Sequence, residues 1–288
     1  MIYAICNPTA GNGRGRKIGQ EIEKRLLEQH YACHLEMTKA PGHATELAYA
    51  AAQSGAETVL AIGGDGTAVE VARGLIGTPA ALGVIPAGTG NDFIKTLGLP
   101  KDPLAALDFV LAHPARDTDV GDVNGRLFLN EIGTGFDVTV LDFAQKAKRF
   151  CRGLLPYLYG VIRTLFHFRG IQLSYAMDGG EMVTKDVFVI AVANGGVIGG
   201  GIPIAPEAQA DDVLLDVVVV NKICSRNLPA RLIGLMRGKI LSFPETQFIR
   251  AKKVFFSADK MRVNIDGEVT DEASVEARLL PKALRIHW

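Results

Sequence analysis

Apolar residues follow two rhythms along this chain. In the first third, short unbroken apolar runs alternate with stretches of helical spacing. "IYAIC" (2–6), "TVLAIG" (58–63) and "LGVIP" (82–86) are continuous runs, and "CHLEMT" (33–38) alternates. Between them, "RKIGQEIEKRLLEQH" (16–30) sets Ile18, Ile22 and Leu26 on one helical face. "HATELAYAAAQSG" (43–55), "AVEVARGLI" (68–76) and "PLAALDFVLA" (103–112) also read as helices. Strands joined by helices at this interval predict a parallel sheet covered on both faces.

After about residue 117 the rhythm changes. "RLFLNEIG", "IQLSYAM", "EMVTKDVFVIAVAN", "VLLDVVVV", "KVFFSA", "MRVNID" and "SVEARL" read as strands separated by turn residues. Only "VTVLDFAQKAKRF", "LLPYLYGVIRTLFHF" and "LPARLIGLMRGKIL" have helical character. The expectation is an α/β domain over 1–120 and a mainly antiparallel β-sandwich over 121–288.

Composition narrows the classes. Lys+Arg and Asp+Glu both total 31 in 288 residues, so no global charge draws the chain to nucleic acid. Cys6, Cys33, Cys151 and Cys224 form no C-x-x-C pair, which argues against a zinc or disulfide framework and fits a reducing cytoplasm. The N-terminus reads as a strand, not a signal peptide. No apolar run reaches the length of a membrane span; the nearest, "LLPYLYGVIRTLF", is interrupted by Arg163. The sequence is compatible with a homodimer but carries no signal of oligomeric state.

Three glycine-rich loops, "NPTAGNG", "GGDGT" and "PAGTGND", all follow predicted strands of the α/β half. Ligands of such sheets lie at the carboxyl ends of the strands. Glycine turns there expose backbone N–H groups and let phosphates approach without Cβ interference. Neither the Walker lysine pattern nor a G-x-G-x-x-G after the first strand is present. Asp65 and Asp92 sit inside two of these loops; beside a polyphosphate they need a divalent cation, of which Mg²⁺ is the natural candidate. Each loop alone also fits a packing turn, and each aspartate also fits a helix N-cap.

"NPTAG" (7–11), "GGDGT" (63–67), "PAGTGNDF" (86–93), "IAPEAQADD" (204–212) and "DGE" (266–268) together resemble the diacylglycerol-kinase catalytic domain of bacterial lipid kinases, over essentially the whole chain. The resemblance implies an N-terminal Rossmann-like domain related to NAD kinases and phosphofructokinases, a C-terminal β-sandwich, and an active site in the interdomain cleft. It implies ATP-dependent phosphorylation of a lipid hydroxyl. Nucleotide contacts would come from Asn7, Pro8, Thr9, Ala10, Gly11, Thr38, Gly64, Asp65, Gly66, Thr67, Glu70, Thr89 and Asn91. Asp65, Asp92 and Asp119, with Asp122 as alternative to the last, would form a carboxylate–water–Mg²⁺ network. Glu268 would accept the proton of the acceptor hydroxyl, with Asp266 beside it. A second, structural Mg²⁺ would use Asp212 and the carbonyls of Gln209 and Leu214.

Two positions depart from the family pattern. Val69 stands where asparagine is usual, and Val213 where "DDG" would carry glycine; a β-branched residue resists positive φ. "DGE" also reads as an ordinary hairpin turn. Outside these motifs, Lys146, Lys148, Arg149, Arg152, Arg163 and Arg169 mix with Leu, Tyr and Phe over 146–170. That mix suits either a membrane surface or an amphipathic helix covering the sandwich. The function expected is therefore a cytoplasmic lipid kinase, peripheral at the inner membrane face. The alternatives are a soluble NAD kinase-like phosphotransferase, or a nucleotide- or lipid-binding relative without catalysis.

Overall fold

The structure is a computed structural model that describes residues 1–147, 150, 155–224 and 226–288. Lys148, Arg149, Cys151 and Arg152, singled out above, lie outside the described residues. The chain divides into two compact units. One comprises Met1–Val120, Ala210–Asp212 and Leu280–Trp288; the other comprises Gly121–Gln209 and Val213–Leu279.

The first unit follows the predicted alternation. β1 (Ile2–Cys6) leads through a helical turn, α1 (Ala10–Gly13), into α2 (Gly15–Glu28). β2 (Cys33–Met37), α3 (His43–Gln53), β3 (Thr58–Gly63), α4 (Asp65–Leu75) and β4 (Ala81–Pro86) follow. The short α5 (Asp92–Thr96) and α6 (Pro103–Ala112) lead to β5 (Ala115–Val123). The strands pair in parallel in the order β2-β1-β3-β4. Ile22 and Leu26 of α2, Leu60 and Ile62 of β3, and Leu107 of α6 meet in one fully buried cluster. α6 starts where "DP" predicts: Asp102 accepts the Ala105 N–H at 2.9 Å, and Pro103 occupies the first turn.

The second unit contains β6 (Arg126–Phe128), β7 (Glu131–Gly135), α7 (Phe136–Ala147), α8 (Leu155–His167), β8 (Ile171–Met177) and β9 (Val183–Ala193). The short β10 (Val197–Ile198) and β11 (Ile202–Pro203) precede β12 (Leu215–Asn221) and α9 (Leu228–Met236). β13 (Thr246–Ala251), β14 (Lys253–Ile265) and β15 (Glu268–His287) close the chain. Pairing is antiparallel in the order β13-β12-β9-β7-β14-β15, with β8 joined to both β9 and β14. Both faces of the central strands are buried. In β12, Leu215, Val217 and Val219 enter one core, while Val218 and Val220 enter another beneath α7 and α9. A strand covered on both faces reads as the near-continuous apolar run "VLLDVVVV".

Three features differ from the expectation. "RLFLNEIG" forms two strands, because Leu129, Asn130 and Glu131 donate their N–H groups to the Asp266 carboxylate at 2.7, 3.0 and 2.8 Å. β5 was not expected in so polar a stretch; Thr118 and Asp119 are nonetheless fully buried there. Finally, the C-terminal residues expected with the second domain belong to the first unit. Arg285 and Ile286 of β15 pair in parallel with Ala81 and Leu82, covering the second edge of β4.

Val213 has φ +65° at the head of β12, so this β-branched residue holds the left-handed conformation that the missing glycine would adopt freely. Val213→Gly and Val213→Ala both remove the partly buried methyl groups, and only the former relieves the backbone. We expect Val213→Gly to be the more stable of the two by about 1 kcal/mol, the reverse of the usual order. Chemical denaturation checks this; a less stable Val213→Gly would reject a strained backbone here.

Candidate active site

In the first unit the three glycine-rich loops lie against one another. Ala87 and Gly88 both donate N–H groups to the Gly63 carbonyl, at 2.7 and 3.0 Å. A Cβ on Gly88 would stand 2.5 Å from the Gly64 Cα, so the two backbones touch where only glycine fits. The first loop joins them. Asn7 donates its N–H to Ile62 and its side-chain amide to the Thr67 hydroxyl at 3.4 Å, while a Cβ on Gly11 would collide with the Ala87 carbonyl. Thr9 donates both its N–H and its hydroxyl to the Asn7 side chain. Thr38, just past β2, donates its N–H to Cys6 at 2.8 Å and so reaches the same strand ends.

Asp65 links two of these loops. Its Oδ1 accepts the Phe93 N–H at 2.9 Å and so caps α5 from a different segment of the chain. This merges the two readings of the aspartate: it caps a helix and faces the loop cluster. The Asp65 Oδ2 and the Asp92 Oδ2 both face Gly90, 3.2 and 3.8 Å from where its Cβ would stand. Burial pushes the Asp65 carboxyl above the usual carboxylate range; backbone N–H groups of Phe93 and Asp92 oppose that rise, and the Asp92 charge adds to it. Two near carboxylates, both partly withdrawn from water, form a donor set that a small divalent cation fits.

Around them, Asn91 sits at φ +52° and donates its amide to the Gly88 carbonyl at 3.1 Å. Lys95 donates to the Gly90 carbonyl at 2.7 Å and pairs with Asp92 at 3.0 Å. Lys95 was not singled out in the sequence; its position three residues after Asp92 was the available signal. A cavity of about 140 Å³ is lined by Pro86, Thr89, Asn91, Lys95 and Lys101. Gly66 and Thr67 lie in the first turn of α4, whose N-terminus suits an anion.

Other predicted residues have structural partners. Glu70 accepts the Ala44 N–H at 3.2 Å, which ties α4 to the start of α3. Val69 is buried, so the usual asparagine position is apolar here. Asp119 is buried on β5; it accepts the Lys282 N–H at 2.8 Å and donates its own N–H to the Ala210 carbonyl at 2.7 Å. Asp212 lies in the 210–212 segment of the first unit, and Gln209 and Leu214 flank that segment in the second. Between them Val213 sits at φ +65°, a left-handed conformation that glycine adopts freely. No group of three or more His, Cys, Asp or Glu side chains is arranged around a common metal position among the described residues.

In the second unit, Asp266 and Gly267 form the β14–β15 hairpin with φ +47° and +93°, the signature of a tight Asp-Gly turn. Asp266 is engaged with the Leu129–Glu131 turn, whereas the Glu268 side chain is exposed at the start of β15. A second polar group there escaped the sequence reading. Asn264 donates its amide to Glu131 at 2.7 Å and to Asp137 at 3.4 Å, and burial pushes the Asp137 carboxyl up to about 6. The signal was an acidic residue inside the apolar run "RLFLNEIG".

The family model for the diacylglycerol kinase catalytic domain matches residues 1–123, and that for the YegS C-terminal NAD kinase beta sandwich-like domain matches 130–288. A diacylglycerol kinase of Mycobacterium tuberculosis (strain ATCC 25618 / H37Rv) is 30% identical over 99% of this chain and 94% of its own. A protein of known crystal structure from Bacillus anthracis str. Sterne is 26% identical, with a TM-score of 0.80 over 100% of this chain and 96% of its own. An NAD kinase from Archaeoglobus fulgidus, solved in complex with ATP, shares the fold. It is 15% identical, with a TM-score of 0.52 over 100% of this chain and 94% of its own.

The raised Asp65 carboxyl has a consequence for stability. Its folded value lies above its unfolded one, so its contribution is most favourable below the ordinary aspartate value and is lost as pH rises through the raised one. Asp65→Asn removes this titration. Between about pH 4 and about pH 7 the variant should therefore lose less stability, or gain more, than the parent. Thermal melts of both proteins across that range test it, and identical pH dependence would show that Asp65 is not a buried charge.

Proposed function

Because the chain belongs to the diacylglycerol kinase catalytic-domain family, we propose that it transfers the γ-phosphate of ATP to the hydroxyl of a diacylglycerol-like lipid. The observation that carries this reading is the meeting of three glycine-bearing loops, with two carboxylate oxygens facing Gly90. Phosphoryl transfer needs positioning and charge neutralisation more than covalent help. In this reading the N–H groups of Gly64–Thr67 hold phosphate oxygens at the start of α4, with the Asn7–Gly11 loop lying against the nucleotide beside them. Thr38, Glu70, Thr89 and Asn91 position the nucleotide around them, Glu70 by fixing α4 against α3. Mg²⁺, when bound, supplies charge neutralisation; Asp65 and Asp92 would hold it, with Asp119 the third carboxylate of the network. Asp212 and the carbonyls of Gln209 and Leu214 would hold a second, structural ion.

An alkyl hydroxyl becomes a competent nucleophile when a base takes its proton during attack. We assign that role to Glu268, whose carboxylate is exposed at the end of a rigid hairpin. Asp266 is a positioning residue: its three backbone bonds lock the turn that presents Glu268. No helix among the described residues is long and apolar enough to cross a membrane. In this reading the reaction takes place at the inner membrane surface, where cytoplasmic ATP meets the lipid.

Glu268→Ala should lower transfer by at least about a hundredfold while ATP binding persists. Labelled-ATP transfer to a panel of lipids in mixed micelles, with NAD as a competing acceptor, measures it. Turnover of NAD in place of lipid, or ATP binding with no turnover of any lipid by the parent protein, would overturn the reading. Near-normal transfer by Glu268→Ala would remove that residue as the base.

A further inference from the structure

We propose that α8 is the face through which the second unit docks on an anionic lipid surface. The helix has two unlike sides. Gly160 lies so close to the Val140 carbonyl that a Cβ would clash, and Thr164 is buried, so this side packs against α7. The opposite side carries Leu155, Leu158, Tyr159 and Ile162, which are 60, 57, 45 and 45% exposed. Their spacing places them in one stripe, and a soluble surface rarely leaves such a stripe uncovered. Phe150, just before the helix, is 88% exposed.

Charge selects the occupant. Between Asp142 and Asp178 the chain carries six Lys and Arg residues and no Asp or Glu, although the chain as a whole is neutral. Among the described cations, Arg163 and Lys146 lie over the Phe143 ring at 5.7 and 5.5 Å, and Arg169 is exposed past the end of α8. An apolar stripe edged by cations and free of acids matches acyl chains beneath anionic head groups. A second copy of the chain is the poorer occupant, because stripe-to-stripe packing brings like charges together. The purpose of docking rests on the lipid-kinase reading; the contact itself does not.

The test is co-sedimentation of the full chain, without nucleotide, with vesicles of phosphatidylcholine alone or mixed equally with phosphatidylglycerol. The parent protein should bind the mixed vesicles preferentially, and less so at high salt. Leu158→Ser/Ile162→Ser and Arg163→Glu/Arg169→Glu should each weaken binding about tenfold or more. All four side chains are solvent-exposed, and unchanged thermal melts confirm folding. Unaltered vesicle binding by the Leu158→Ser/Ile162→Ser variant would overturn the proposal. So would a dimer that dissociates in that variant while the parent ignores vesicles. Turnover of a short-chain, water-soluble diacylglycerol separates the two readings: persistence without vesicle binding sinks the docking face alone, and vesicle binding without any turnover sinks the kinase alone.

Discussion

The contact between the backbones of Gly64 and Gly88 sets the geometry of the sheet edge where the first unit's glycine-rich loops meet. The two strand–helix loops approach so closely that a methyl on Gly88 would stand 2.5 Å from the Gly64 Cα, and one on Gly64 3.3 Å from the Gly88 Cα. Once they touch, the Gly63 carbonyl serves the N–H groups of both Ala87 and Gly88. Asp65 then reaches across to cap α5. Loop convergence, helix capping and the pairing of carboxylates near Gly90 thus follow from one close approach. The price is electrostatic: Asp65 is buried near Asp92, and backbone N–H groups offset only part of its desolvation. A protein holding two acids in this way is less stable than it could be, a cost that a bound cation would offset.

The second unit relies on burial. Because β9 and β12 are covered on both faces, their apolar residues supply rigidity with few polar partners. One polar exception is Asp266, a left-handed residue whose carboxylate takes three consecutive backbone N–H groups. Removing it would strand those donors, which costs more than an ordinary hydrogen bond contributes. The hairpin carrying Glu268 is therefore fixed at its base even though the Glu268 side chain is exposed. Hairpin turn and the proposed functional motif are compatible descriptions of "DGE": the turn supplies the rigidity that a base at Glu268 would require.

The alternation of the first unit was legible because each strand is a short apolar run and each helix shows its period. The loops were legible because glycine, proline and asparagine mark turns by mechanism. What escaped has a common cause: long-range partners. β5 looks too polar to be a strand until Asp119 is seen to bond the backbones of residues 210 and 282. "LRIHW" contains no sign that its strand completes a parallel sheet begun two hundred or so residues earlier. The division of "RLFLNEIG" depends on a carboxylate at 266. Likewise the family resemblance pointed to Asp65, but not to its reach across to α5, and Glu131, Asp137 and Asn264 were invisible as a group.

The two departures from the family pattern carry different weight once seen in place. Val69 is buried, so its side chain adds to the core beside the loops and offers nothing polar to a ligand. Val213 is the more informative. A β-branched residue at φ +65° is disfavoured by about 1–3 kcal/mol and persists only where its surroundings over-determine it. Here they do: Asp119 fixes the Ala210 carbonyl on one side, and β12 begins its pairing with β9 and β13 on the other. The path through 209–214 is thus imposed by neighbours and not by the residue at its bend. Loss of the glycine thus raises the energy of a bend that the surrounding contacts still hold at φ +65°. A sequence departure at such a position is evidence about stability before it is evidence about function.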